Sequence, residues 1–97
     1  MKTLKLANGR LAVSEFCMGC MQLGSRTNEE EAGTLLDRFR DAGGTFFDSA
    51  HCYCFWEPCG DGTSERLLGR YIKRHDCRDE VVIGTKGGHP QAPNYRR

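Results

Sequence analysis

Two short apolar runs, each ending in a charged residue, constrain this chain most. Phe46-Phe47 runs into Asp48, and Val81-Val82-Ile83-Gly84-Thr85 delivers Lys86. Continuous apolar runs of this length, without alternation, suit strands of a parallel sheet covered on both faces. A stretch of helical periodicity separates them, as a crossover between parallel neighbours requires. An acid and a base therefore leave one sheet side by side at the same end. Tyr53 follows the acid by five positions and hangs in the loop above both.

The remaining pattern extends this arrangement in both directions. Leu4-Lys5-Leu6-Ala7 and Arg10-Leu11-Ala12-Val13 alternate around Asn8-Gly9, the strongest short hairpin signal, because a type I′ turn needs positive φ at both central residues. Phe16 to Met21 reads as a further buried strand that ends near Gly24. A first helix starts at the capping box Thr27-x-x-Glu30, with Asn28 and Glu31 able to serve one residue later. Ala32, Leu35, Leu36 and Phe39 form its apolar stripe, and Gly43-Gly44 ends it. Cys54 to Gly62 reads as a loop carrying Phe55 and Trp56. Ser64 caps a second helix with Leu67, Leu68, Tyr71 and Ile72 on one face. After Lys86, Gly87-Gly88 serves a turn, and a polar tail without periodicity runs to Arg97.

The order is an N-terminal hairpin followed by β-α-β-α-β, an α/β class. An open nucleotide-binding sheet would carry Gly-x-Gly-x-x-Gly after its first strand, and Gly19-Cys20-Met21-Gln22-Leu23-Gly24 does not match. In a (β/α)8 TIM barrel, reactive groups sit at the C-terminal ends of several strands, where Asp48 and Lys86 fall. The expected fold is a partial (β/α)8 TIM barrel. At 97 residues the chain is one small domain at most, against ~250 for a complete barrel.

A formal net charge of +1 excludes the basic excess of a nucleic-acid surface. No apolar run is long enough to span a bilayer, and Met1-Lys2-Thr3-Leu4-Lys5 has no apolar core behind it, so the expected location is cytoplasmic. Six cysteines invite a zinc reading. Cys17-Met18-Gly19-Cys20 has ligand spacing, but Cys52, Cys54, Cys59 and Cys77 hold no C-x-x-C. Cys17 and Cys20, on one strand, would point to opposite faces. The expectation is reduced thiols and no metal, with a cysteine-rich metal module as the alternative.

Asp48, Tyr53 and Lys86 together have the chemistry to make a tyrosine a proton donor. A free tyrosine has a pKa of about 10, so bringing it to about 7 takes roughly 4 kcal/mol. One ammonium at about 4 Å supplies that much at an effective dielectric near 20. Asp48 offsets part of that field but keeps the lysine charged and aimed. The bland alternative is a structural Asp48–Lys86 ion pair beside a packed loop tyrosine. His51, His75 and His89 read as loop or surface residues. Phe55 and Trp56 read either as walls of a substrate pocket or as a cover for the barrel mouth.

Taken in order, Gly-Cys-Met-Gln-Leu-Gly, FFDSAHCY, SERLLGRYIK and RDEVVIGTKGGHP resemble the aldo/keto reductases over nearly the whole chain. Asp48 and Tyr53 match the family's Asp followed five residues later by Tyr, and Lys86 matches its lysine. The resemblance implies reduction of a small-molecule carbonyl by NADPH, with Tyr53 protonating the oxygen. It places Asp48 also against the cofactor ribose, and Gly19, Cys20 and Met21 beside the nicotinamide end. The family's fourth catalytic residue, a histidine ending the fourth strand, has no match, since His89 lies only three residues after Lys86. Its later phosphate-binding loops have none either. The expectation is therefore that residues 1–97 are the N-terminal portion of a reductase barrel, inactive alone and prone to self-association through an open sheet edge. A small non-catalytic interaction domain is the other alternative.

Overall fold

In the computed structural model, which describes residues 1–89, a hairpin leads into a three-stranded parallel sheet carrying two helices. The elements are β1 (Thr3–Leu6), β2 (Leu11–Ser14), β3 (Cys17–Gly19), α1 (Glu29–Asp41), β4 (Phe46–Asp48), α2 (Thr63–His75) and β5 (Val82–Gly84). A 3-10 turn at Arg78–Glu80 precedes β5. The expected order of hairpin and β-α-β-α-β is present. The polar tail read from Pro90 onward lies outside the described residues.

The hairpin keeps the expected register around Asn8-Gly9, with Leu6 opposite Leu11, but Ala7 and Arg10 join the turn instead of pairing. Gly9 N–H donates to the Leu6 carbonyl across Ala7 and Asn8. Both have positive φ, 51° and 57°, and Gly9 follows at 85°. A second bond, Arg10 N–H to the Ala7 carbonyl, draws Gly9 into the turn, and three consecutive left-handed residues make a four-residue loop. The hairpin is tied to the sheet by reciprocal bonds: Ser14 N–H to Thr45 Oγ1 at 2.9 Å, and Thr45 N–H to Ser14 Oγ at 3.0 Å.

The parallel sheet has the order β3-β4-β5, with Gly19, Asp48 and Gly84 level at its exit end. The middle row, Met18, Phe47 and Ile83, packs into the helix-covered core with Leu36, Leu67 and Leu68. Alternation sends Cys17, Gly19, Phe46, Asp48, Val82 and Gly84 to the other face. That face is not covered as expected: Cys17 and Gly19 are exposed, and Phe46, Asp48, Val82 and Gly84 are half-buried. Three strands cannot curl far enough to close on themselves, so nothing in the described residues packs opposite. The strand expected from Phe16 to Met21 keeps regular pairing only at Cys17–Gly19, with Phe16 exposed before it.

Helix starts also differ from the simplest reading. The α1 cap is Asn28, whose Oδ1 accepts from Glu31 N–H at 2.9 Å. Thr27 is unavailable because its carbonyl and N–H already bond Gly24 and Gln22 across the preceding loop. The helix ends as Gly43-Gly44 suggests, with Gly43 N–H on the Arg40 carbonyl and Gly44 N–H on the Phe39 carbonyl. Of its stripe, Ala32 and Leu36 are buried and Phe39 meets Phe47 edge-on at 5.4 Å, but Leu35 is exposed. It lies beside the β3 edge, where no further strand covers it. On α2, Gly62 in the left-handed region takes the cap position, and Ser64 is inside the first turn and fully buried.

Candidate active site at the strand exits

The β4–β5 seam continues past the regular strands and carries the candidate residues with it. Ser49 N–H donates to the Gly84 carbonyl at 2.8 Å, and His51 N–H to the Lys86 carbonyl at 3.0 Å. Those two bonds hold the loop after β4 against the segment after β5. Asp48 and Lys86 therefore meet: Lys86 Nζ donates to Asp48 Oδ1 at 2.6 Å and to the Ser49 carbonyl at 2.7 Å. The ammonium also stands 5.1 Å from the centre of the Tyr53 ring. The structure thus brings together the three residues read from the sequence.

Electrostatics follow the geometry. The hydrogen bond to the Asp48 carboxylate holds Lys86 above the usual lysine range; desolvation opposes it, and the Tyr53 phenol adds a smaller upward push. Both side chains of the ion pair are about half exposed, 51% and 50%, so water screens much of their mutual field. The site is open rather than sealed.

Beside the ammonium is a mostly apolar cavity of about 410 Å3, walled by Met21, Cys52, Tyr53, Trp56, Lys86 and His89. Trp56 is half exposed, and Phe55 packs edge-on against both Trp56 and His89. Phe55 and Trp56 do lie at the mouth. A separate cleft of about 290 Å3 between α1 and α2 is remote from Lys86 and lined by Glu29, Asp37, Tyr71 and Arg74.

The residues expected next to a cofactor divide. A Cβ on Gly19 would meet no atom within 4 Å, and Met21 is exposed, so both border open space. Cys20 between them is fully buried. Its N–H donates to the Asp48 carbonyl, its thiol to the Met18 carbonyl, and its own carbonyl accepts from Ser64. Its N–H, thiol and carbonyl are all engaged within the protein, unlike the open surroundings of Gly19 and Met21. The six thiols are unbridged, and among the described residues no three His, Cys, Asp or Glu side chains converge as metal ligands.

Sequence reasoning missed two features here. His51 is an exposed loop residue as expected, and in addition its ring lies between Glu65 at 3.3 Å and Asp61 at 3.8 Å, while Glu65 also accepts from the Thr85 hydroxyl. Ser49 and Ser64, both fully buried, bond to each other behind the ion pair. Ser64 carried a signal, its place before Glu65 at a helix start, but that signal suggested only a cap.

Comparison with known proteins decides the parentage. Residues 15–97 match the model of the Aldo/keto reductase family. The chain belongs to the aldo/keto reductase family. Norsolorinic acid reductase of Emericella nidulans is 39% identical over 83 residues, which is 78% of this chain and 20% of that protein. The NADP(+) aryl-alcohol dehydrogenase of Phanerodontia chrysosporium is 34% identical over 84 residues, again 78% and 20%. The solved holo form of an aldo-keto reductase from Bacillus halodurans superposes with a TM-score of 0.74 at 29% identity, covering 98% of this chain and 28% of its own. The fold is accordingly part of an aldo/keto reductase TIM barrel. This aldo/keto reductase chain spans about a fifth to a quarter of the length of such curated relatives. Among its described residues, no helix is long and apolar enough to cross a membrane.

Proposed function

We propose that residues 1–97 are the N-terminal portion of a barrel that reduces small-molecule aldehydes or ketones with NADPH, in the cytoplasm. The observation that carries this reading is the convergence of Asp48, Lys86 and Tyr53 at one end of the sheet, beside an apolar cavity. A structural ion pair alone needs no phenol beside it and no cavity next to it. The relatives named above support the cofactor through the NADP(+) in one name, and an aromatic substrate through norsolorinic acid and aryl alcohol.

In this mechanism Tyr53 hands its phenolic proton to the carbonyl oxygen as negative charge develops there. Lys86, kept charged by Asp48, stabilises the phenolate that remains and holds the hydroxyl in reach of the cavity. Bound NADPH would supply the hydride that the carbonyl carbon receives. Open space over Gly19, the exposed Met21 side chain and the half-exposed Asp48 carboxylate fit the nicotinamide and ribose end of that group. Met21, Tyr53 and Trp56 line one wall of the cavity beside the reacting centre.

A chimera tests the assignment. Residues 1–97 replace the matching segment of the Phanerodontia enzyme, and NADPH oxidation with an aryl aldehyde is followed. Tyr53→Phe should lower kcat by at least about a hundredfold, the lower bound for a lost proton donor. A folded chimera that reduces the aldehyde equally well without the Tyr53 hydroxyl would sink the assignment.

A further inference from the structure

Behind the ion pair runs a chain of hydroxyls that the function above leaves unused. Ser49 Oγ and Ser64 Oγ are 2.8 Å apart, and Ser64 Oγ donates to the Cys20 carbonyl at 2.7 Å. A serine has one hydroxyl proton. Ser64 spends its proton on Cys20, so Ser49 is the donor in the pair. The polarity is fixed: Ser49 to Ser64 to the Cys20 carbonyl. Both serines are 0% exposed. Water therefore cannot replace either bond, and the geometry is held by the protein alone.

The chain joins three separate segments. Ser49 follows β4, Cys20 follows β3, and Ser64 sits in the first turn of α2. Cys20 N–H closes the loop by donating to the Asp48 carbonyl at 2.9 Å. At its outer end, the Ser49 carbonyl is one of two short acceptors for the Lys86 ammonium. We propose that Ser64 is a positioning residue: through Ser49 it fixes the backbone carbonyl that, with Asp48, aims Lys86 toward Tyr53. This rests on the reading of Lys86 as the group that acts on Tyr53. It assigns α2 a part in the site that helix capping does not require, since Gly62 already occupies the cap position.

Lys86 itself reports on the proposal. An ammonium that loses an acceptor is more often a free amine, and only the free amine reacts with acetic anhydride. Competitive labelling of the 97-residue chain compares Lys86 with Lys2, Lys5 and Lys73. Ser49→Ala removes the donor while leaving Ser64 on Cys20, so no buried group is stranded. Ser64→Ala removes the centre of the chain. Both should raise relative Lys86 labelling roughly two- to tenfold, the span of one net hydrogen bond. Ala32→Gly weakens α1 without touching the chain and should leave the ratio unchanged. An unchanged Lys86 ratio in the serine variants, or an equal rise in Ala32→Gly, would overturn the assignment. Should neither serine variant fold, the unaltered chain decides by proton NMR. Both hydroxyl protons should be visible through slow exchange with water; their absence refutes the fixed chain. Turnover has no part in these readouts. A null effect of Tyr53→Phe in the chimera would defeat the reduction reading and leave the hydroxyl chain standing, and the reverse also holds.

Discussion

Lys86 donates to Asp48 at 2.6 Å across the seam between two parallel strands whose ladder places Asp48 opposite Gly84. Lys86 is two residues beyond Gly84, so its side chain returns to the same face. The ion pair is thus a consequence of register. A one-residue slip would send the lysine to the helix side of the sheet.

Stability at high pH should report this pair. Lys86 is held above its unfolded range, so its contribution is fully present below about pH 10.4 and lost as pH rises through its folded value. With both partners half exposed, the effect is at most about 1 kcal/mol. Urea melts from neutral pH to above the ordinary lysine range should show wild type losing more than Asp48→Asn. Parallel losses in the two would remove the pair from the account.

The thiols should all be free. None is bridged, and burial pushes the Cys20 thiol up to about 12 and raises Cys54 as well. Protonated, buried thiols are poor nucleophiles and poor metal ligands. Counting thiols on the denatured protein without reductant should give all six. A count of four or fewer refutes this.

Gly44→Ala should destabilise the chain by about 1–3 kcal/mol. A Cβ there would stand 2.3 Å from the Phe39 ring, which itself packs on Phe47 in the core. The measurement is the urea midpoint at constant m-value. A midpoint within error of wild type would show that Phe39 yields freely.

The isolated 97-residue chain should associate and should not oxidise NADPH with an aryl aldehyde in a Tyr53-dependent way. Both β3 and β5 are edges of the parallel sheet, and the face bearing Phe46 and Val82 is only half covered. Open strand edges and apolar faces of this kind favour self-pairing. Sedimentation and a Tyr53→Phe comparison measure both. A chain that sediments as a monomer at every concentration, or turnover that Tyr53→Phe abolishes, would contradict this expectation.

By itself the sequence determined the element order, the parallel sheet and the meeting of Asp48, Tyr53 and Lys86. Local chemistry carries that much: apolar runs of strand length, capping and stop residues around each helix, and charges placed at run ends. Tertiary structure alone decided which of two adjacent cap residues is used, because Thr27 is committed to a loop bond with Gly24. It also decided that Leu35 stays exposed, because β3 is an edge, and that Cys20 is fully buried between two residues that border open space. Ser64 shows the division most clearly. Its position near a helix start is visible in the chain, but its acceptor on Cys20 is 44 residues away. A hydrogen bond at that separation leaves no periodic or local mark, and it exists only once the sheet and α2 have packed.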